Sequence, residues 1–186
     1  MAHPPLRADG KIEAVVTSLE MLERPSEPAI PAPCDGLAVE RAVRPTASFY
    51  RYLYNTVGEP WLWGDRRKLD DAALREIVQH PAVEIYILRV QGVPAGYAEL
   101  DGRVAGEIEL AYFGLLPDFI GHKLGPYLLS FAIRTAWERG PRRVWVHTCT
   151  LDHPSALAVY ERAGFRVFER ETEIADDPRT LGLIRT

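Results

Sequence analysis

The chain has 186 residues, 26% of them charged and 47% hydrophobic, with a net charge of −4, as expected of a single globular domain with a sizeable core. The negative balance argues against a broad nucleic-acid footprint, and Cys34 and Cys149 make neither a disulfide framework nor a zinc-ligand spacing. No stretch reads as a secretory signal or a membrane span, so a cytoplasmic protein without a membrane partner is expected.

Residues 1–12 read as a polar tail, and Ile12 to Leu22 alternates loosely enough for an early strand. The run ERPSEPAIPAP, Glu23 to Pro33, is too rich in proline for a helix and suits an extended connector. Residues 1–33 are therefore expected to precede one domain spanning 34–186. Within it, Val39 to Val43 reads as a short strand, and Ser48 to Val57 as a helix with aromatics on more than one face. A second helix is expected over Asp70 to Gln79, capped by the Asp70 carboxylate. Val83 to Val90 is β-branched and pairs through a Gln91-Gly92 turn with Pro94 to Asp101. Asp101-Gly102 then turns toward a strand over Glu107 to Leu116. A helix over Gly125 to Arg139 stops at Gly140-Pro141, followed by a strand Arg143 to Thr150, a helix Pro154 to Ala163 and a closing strand Phe165 to Glu171. The tail from Asp176 has no clear reading. Antiparallel hairpins followed by strand-helix-strand-helix-strand imply an α/β (α+β) fold: a mixed, mostly antiparallel central sheet with helices on both faces.

The segment LLPDFIGHKLGPYLL, Leu115 to Leu129, joins an apolar strand to an amphipathic helix through a glycine-punctuated loop. Backbone N–H groups in the first turn of such a helix have no intrahelical partner, and with the helix dipole they suit a phosphate. Gly121 and Gly125 let the backbone approach a ligand closely. The loop is neither a dinucleotide GxGxxG fingerprint nor a P-loop, because Gly125 is followed by Pro126 and Tyr127. Taken alone, it is equally a helix that merely begins with glycines.

Residues 115–165 resemble the GNAT superfamily of N-acetyltransferases. That family's proline-acid-aromatic-Arg-Gly-x-Gly-x-Gly run lies over Pro117, Asp118, Phe119, Ile120, Gly121, His122, Lys123, Leu124 and Gly125. Its downstream Nxx[AS]xxxYxxxGF motif lies over His153, Ala156, Tyr160, Gly164 and Phe165. Ile120 replaces the usual Arg or Gln, Lys123 a common Gly, and His153 a common Asn, while Pro126 removes one backbone N–H. The resemblance implies acetyl-CoA as cosubstrate, with its pyrophosphate at Ile120 to Gly125 and His153 nearby; His122 and Lys123 offer side-chain donors there. It also implies a splay between the strand ending near Leu116 and the strand ending near Thr150. Pantetheine amides would pair with the edge of the first, at Phe113 and Leu115.

An alkylammonium acceptor, with a pKa near ~10.4, must lose a proton before attack. Glu109 is the candidate base, a carboxylate between Ile108 and Leu110 in an otherwise apolar strand. With period two it shares a face with Glu107, Ala111 and Phe113 unless a bulge shifts the phase. The resemblance places a catalytic glutamate on this strand and makes Tyr160 the donor to the departing thiolate. A solvent-facing Glu109 and a merely packed Tyr160 are the alternatives. His147 and His153 are expected at the cleft mouth, as proton relays or as plain packing groups. Cys149 has no evident partner base and reads as a buried thiol.

The acceptor side is expected between Phe49 and Arg67. Tyr54, Trp61 and Trp63 are candidate walls for an apolar or cationic group, and Arg66 and Arg67 candidates to hold a carboxylate. Thr148 lies where relatives that acetylate protein N-termini carry a glutamate, which argues mildly against that substrate class. The expected activity is transfer of an acetyl group from acetyl-CoA to a primary amine, of a small molecule, with a homodimer left open. A catalytically silent acyl-CoA-binding module and a protein lysine or N-terminal acetyltransferase are the alternatives.

Overall fold

The computed structural model describes residues 7–184; the first six residues of the expected polar tail lie outside this range. The chain runs β1 (Lys11–Met21), β2 (Leu37–Arg41), α1 (Ala47–Gly58), α2 (Asp71–Val78), β3 (Val83–Val90), β4 (Val93–Asp101), β5 (Glu107–Leu115), α3 (Leu124–Glu138), β6 (Arg143–Cys149), α4 (Ala156–Arg162) and β7 (Arg166–Asp176). Short 3₁₀ turns at Glu59–Trp61 and Asp65–Arg67 link α1 to α2, and another at Pro117–Phe119 precedes α3. Among the described residues no helix is long and apolar enough to cross a membrane.

Local chemistry accounts for the helix starts. The Thr46 hydroxyl accepts from the Phe49 N–H at the head of α1, and the Asp70 carboxylate accepts from the Ala73 N–H at the head of α2. The seven strands form one sheet in the order β2-β3-β4-β5-β6-β1-β7. All neighbours are antiparallel except β5 and β6. Leu128, Leu129, Ala132 and Ile133 of α3 pack with Leu100, Leu110 and Val146, while Tyr50, Leu53 and Tyr54 of α1 pack with Leu74 of α2, Ile87 and Tyr97. These two apolar clusters cover the two faces of the sheet.

Two features depart from the sequence reading. First, β1 is interior: it lies between β6 and β7, and Ile12 and Leu19 are buried. Residues 11–21 thus share the sheet with the 34–186 segment instead of preceding a self-contained unit. The proline-rich connector returns the chain to β2 at the opposite edge. On the way it touches α3, where the Ile30 N–H donates to the Ser130 hydroxyl. Second, the closing strand continues to Asp176, and the tail beyond it folds back. Asp177 is fully buried, Ile184 packs on Leu62 and Ile12, and Arg67 donates to the Leu183 carbonyl.

Candidate active site

The site follows from one break in the sheet. β5 and β6 pair only at Glu107–Arg143, Ile108–Val144 and Glu109–Trp145. Beyond that point β4 still holds β5 as far as Leu115, and β1 still holds β6 as far as Cys149. The inner edges of β5 and β6 therefore part, with each arm fixed by its outer neighbour. A cavity of about 410 Å³ occupies the gap. It is lined by β5 from Leu110 to Leu115, by His147 and Cys149, by the start of α3 and by Tyr160.

Ala111 is a β-bulge. Glu99 opposes Tyr112 and Leu100 opposes Leu110, which leaves Ala111 without a partner on β4. The bulge resets the alternation and corrects the period-two expectation. Glu109 shares its face with Tyr112, whereas Phe113 and Leu115 turn toward the α3 side with Ile108 and Leu110.

The Glu109 carboxylate does not itself line the cavity; its Oε1 lies 3.1 Å from Nδ1 of His147, which does. The hydrogen bond to Glu109 raises the His147 pKa above the ordinary value, against the opposing effect of burial. Glu107 is occupied with Arg143 at 2.7 Å. Tyr160 is buried, with its ring near Phe113 and Phe165. Burial first, and Asp152 second, hold its phenol well above the usual range, so it stays protonated at neutral pH. Burial pushes the Cys149 thiol up to about 11, consistent with an inert sulfhydryl.

The loop ahead of α3 is exposed at Ile120, and Gly121 takes φ +90 with open space beside its Cα. Lys123 adopts a left-handed conformation, and no side chain caps the first N–H groups of α3. Gly125 and Pro126 line the cavity. The Leu124 side chain is in the core, so only its backbone faces the loop. His153 also lines the cavity, and its Nδ1 accepts from the Ser155 N–H.

Tyr54, Trp61 and Trp63 all line the cavity, together with Tyr112, whose ring lies 5.0 Å from Tyr54 and 5.2 Å from Trp63. The Trp63 indole donates to Asp152 Oδ1 at 3.1 Å. Thr148 does not join them: it is buried on the other face of β6, its hydroxyl donating to Asp152 Oδ2. The alternation of β6 turns His147 and Cys149 toward the cavity and Thr148 away.

Arg66 and Arg67 are likewise not free to hold a carboxylate. Arg66 donates to fully buried Glu99 at 2.8 Å, and Glu99 also accepts from Tyr50. Arg67 bonds to Glu59 and to the carbonyls of Asn55, Trp63 and Leu183. Burial raises the Glu99 pKa, and Arg66 opposes that rise. Sequence reading missed this network because a glutamate in a strand gives no local sign of its partner.

A profile of the acetyltransferase (GNAT) family matches residues 49–165. The chain belongs to the GNAT acetyltransferase family. Solved structures agree in fold. A GCN5-related N-acetyltransferase from Kribbella flavida matches at 20% identity and TM-score 0.59, over 90% of this chain and 60% of that one. A functionally unknown conserved protein from Staphylococcus epidermidis matches at 16% identity and TM-score 0.60, over 91% of this chain and 64% of that one. An aminoglycoside acetyltransferase from an uncultured soil metagenomic sample matches at 14% identity and TM-score 0.55, over 70% and 88%. The chain thus spans less than two thirds of the first two structures. No curated protein matches it. In this GNAT domain the family profile begins within α1, so β1 and the connector lie outside the matched residues.

Proposed function

We propose that this GNAT domain transfers an acetyl group from acetyl-CoA to a primary amine of a small molecule. The observation that carries the reading is the parting of β5 and β6 beyond Glu109 and Trp145, with Tyr160 lining the gap. The uncapped start of α3 and the open backbone at Gly121 suit a diphosphate at one mouth of the cavity. The free inner edge of β5 suits an extended amide-bearing arm, since its N–H and C=O groups have no strand partner there.

The ammonium form of the acceptor gives a proton to His147, which Glu109 orients and whose positive charge Glu109 balances. The amine lone pair then attacks the thioester carbonyl carbon, forming the C–N bond, and the adduct nitrogen gives its surplus proton to solvent. When the tetrahedral adduct collapses, the C–S bond breaks and its electron pair leaves on sulfur. The Tyr160 hydroxyl gives that sulfur a proton and regains one from solvent; His147 releases its own to solvent. The products are an N-acetylamine, coenzyme A and one proton. The neighbouring aminoglycoside acetyltransferase makes an amine a fitting acceptor class.

Calorimetry with acetyl-CoA, combined with thiol release over an amine panel, tests the reading. Binding followed by amine-dependent release is the expected result. Binding with no transfer to any amine would identify a silent acyl-CoA-binding module, and no binding at all would remove the cosubstrate.

A further inference from the structure

The acceptor end of the cavity has a composition that the acyl-transfer reading leaves unexplained. Its walls are aromatic: Tyr54 from α1, Trp61 and Trp63 from the α1–α2 connection, and Tyr112 from β5. Its far side is β1, an element outside the family profile, which turns Ile12, Ala14 and Val16 into the cavity. Across the β1–β7 ladder Glu173 stands opposite Ala14 and also lines the space.

The charges facing this space are mostly negative. Asp65, Asp152, Glu173 and Asp176 line it, against Lys68 and the two histidines His147 and His153. Asp152 accepts from the Trp63 indole, the Thr148 hydroxyl and the Cys149 N–H, and beside these it interacts electrostatically with His147. The two arginines nearest in sequence are spent on Glu99 and on Glu59 and main-chain carbonyls. A carboxylate on the acceptor would thus meet carboxylates without a guanidinium fork to hold it. A second ammonium deep in the molecule would lose its hydration against aromatic and aliphatic walls. One cation on an apolar body meets neither cost, and the π-faces add attraction.

We infer that the acceptor is a monoamine carried on a compact aromatic or aliphatic body without a carboxylate, its ammonium led in by Asp152 and Glu173 and its body seated among Tyr54, Trp61, Trp63 and β1. This inference rests on the acyl-transfer reading.

The test is steady-state thiol release from acetyl-CoA with phenethylamine, phenylalanine, spermidine and an aminoglycoside, with acetyl-CoA binding followed by calorimetry. Phenethylamine is expected to exceed phenylalanine and spermidine in kcat/KM by roughly tenfold or more, the discrimination typical of a polar or charged group placed in an unsuited pocket. Glu173→Gln, a change on an exposed edge strand, is expected to raise KM for phenethylamine about threefold at unchanged affinity for acetyl-CoA. Ala14→Trp is expected to fill the acceptor end, abolishing phenethylamine turnover while leaving acetyl-CoA binding in place. Preference for phenylalanine, spermidine or the aminoglycoside would overturn the inference and leave the acyl-transfer reading standing. Acetyl-CoA binding with transfer to none of the four amines would overturn both.

Discussion

Replacing Arg66 with methionine tests how the aromatic wall of the cavity is held. Arg66 sits in the 3₁₀ turn beside Trp63, and its guanidinium lies 5.1 Å over the Tyr112 ring. Its side chain is 12% exposed and its partner Glu99 0%. Removing the cation leaves a buried carboxylate whose remaining side-chain partner is the Tyr50 hydroxyl at 2.5 Å. Breaking a buried pair in this way costs about 3–5 kcal/mol. For a domain of this size that lowers Tm by roughly 6–20 °C. The sign of the pH dependence follows from Glu99. Burial raises its folded pKa while Arg66 counters the rise, so losing Arg66 lifts it further. A carboxyl with a raised folded pKa contributes fully below its unfolded value, about 4.3, and loses that contribution as pH rises through the folded one. The deficit of Arg66→Met relative to the parent is therefore larger near pH ~8 than near pH ~5. The triple change Arg66→Met, Glu99→Leu, Tyr50→Phe removes the charges and the hydroxyl together and is expected to recover most of the loss. Thermal melts followed by circular dichroism at the two pH values provide the measurement. A deficit below ~1 kcal/mol, independent of pH, would refute the reasoning.

Tyr160→Phe keeps the packing against Phe113 and Phe165 and removes only the hydroxyl proposed to protonate the thiolate. Its kcat is expected to fall by about 10²–10⁴, with acetyl-CoA affinity unchanged by calorimetry. The rate is expected to rise with pH through a pKa above the ordinary histidine value, because unprotonated His147 is the proposed base and Glu109 raises its pKa. Glu109→Gln moves that limb to lower pH and lowers the plateau; a limb that does not move in a pH–rate profile would exclude the pair. At Gly96 an added Cβ would lie 2.5 Å from the Gly114 carbonyl oxygen. Gly96→Ala is therefore expected to force β4 and β5 apart beside the cavity, at a cost of about 1–3 kcal/mol by chemical denaturation.

Strand and helix order was readable along the chain because those signals are local. β-Branched content marked β3, the Gln91-Gly92 turn marked β4 as its hairpin partner, the Asp70 carboxylate marked the start of α2, and Gly140-Pro141 marked the end of α3. The glycine loop and the tyrosine helix carried the family likeness for the same reason: each is a short run whose spacing survives without its surroundings. The partners of side chains were not readable. Period two says that Glu109 and Glu107 share a face; it does not say that the bulge at Ala111 brings Tyr112 to that face, or that His147 stands between Glu109 and the cavity. Arg66 and Arg67, read as candidates to hold a substrate carboxylate, are tied to Glu99 and Glu59, and Thr148 turns away from the space its neighbours line.

The amino-acid sequence by itself determined the order of elements, the GNAT-like loop and the identity of the tyrosine beside it, since each is written in contiguous residues. Only the tertiary structure decided that β1 enters between β6 and β7, and that it lines the cavity with Ile12, Ala14 and Val16. Pairing Val16 with Cys149 joins residues far apart in the chain, and a strand's alternation names the face it offers but not the strand it will join.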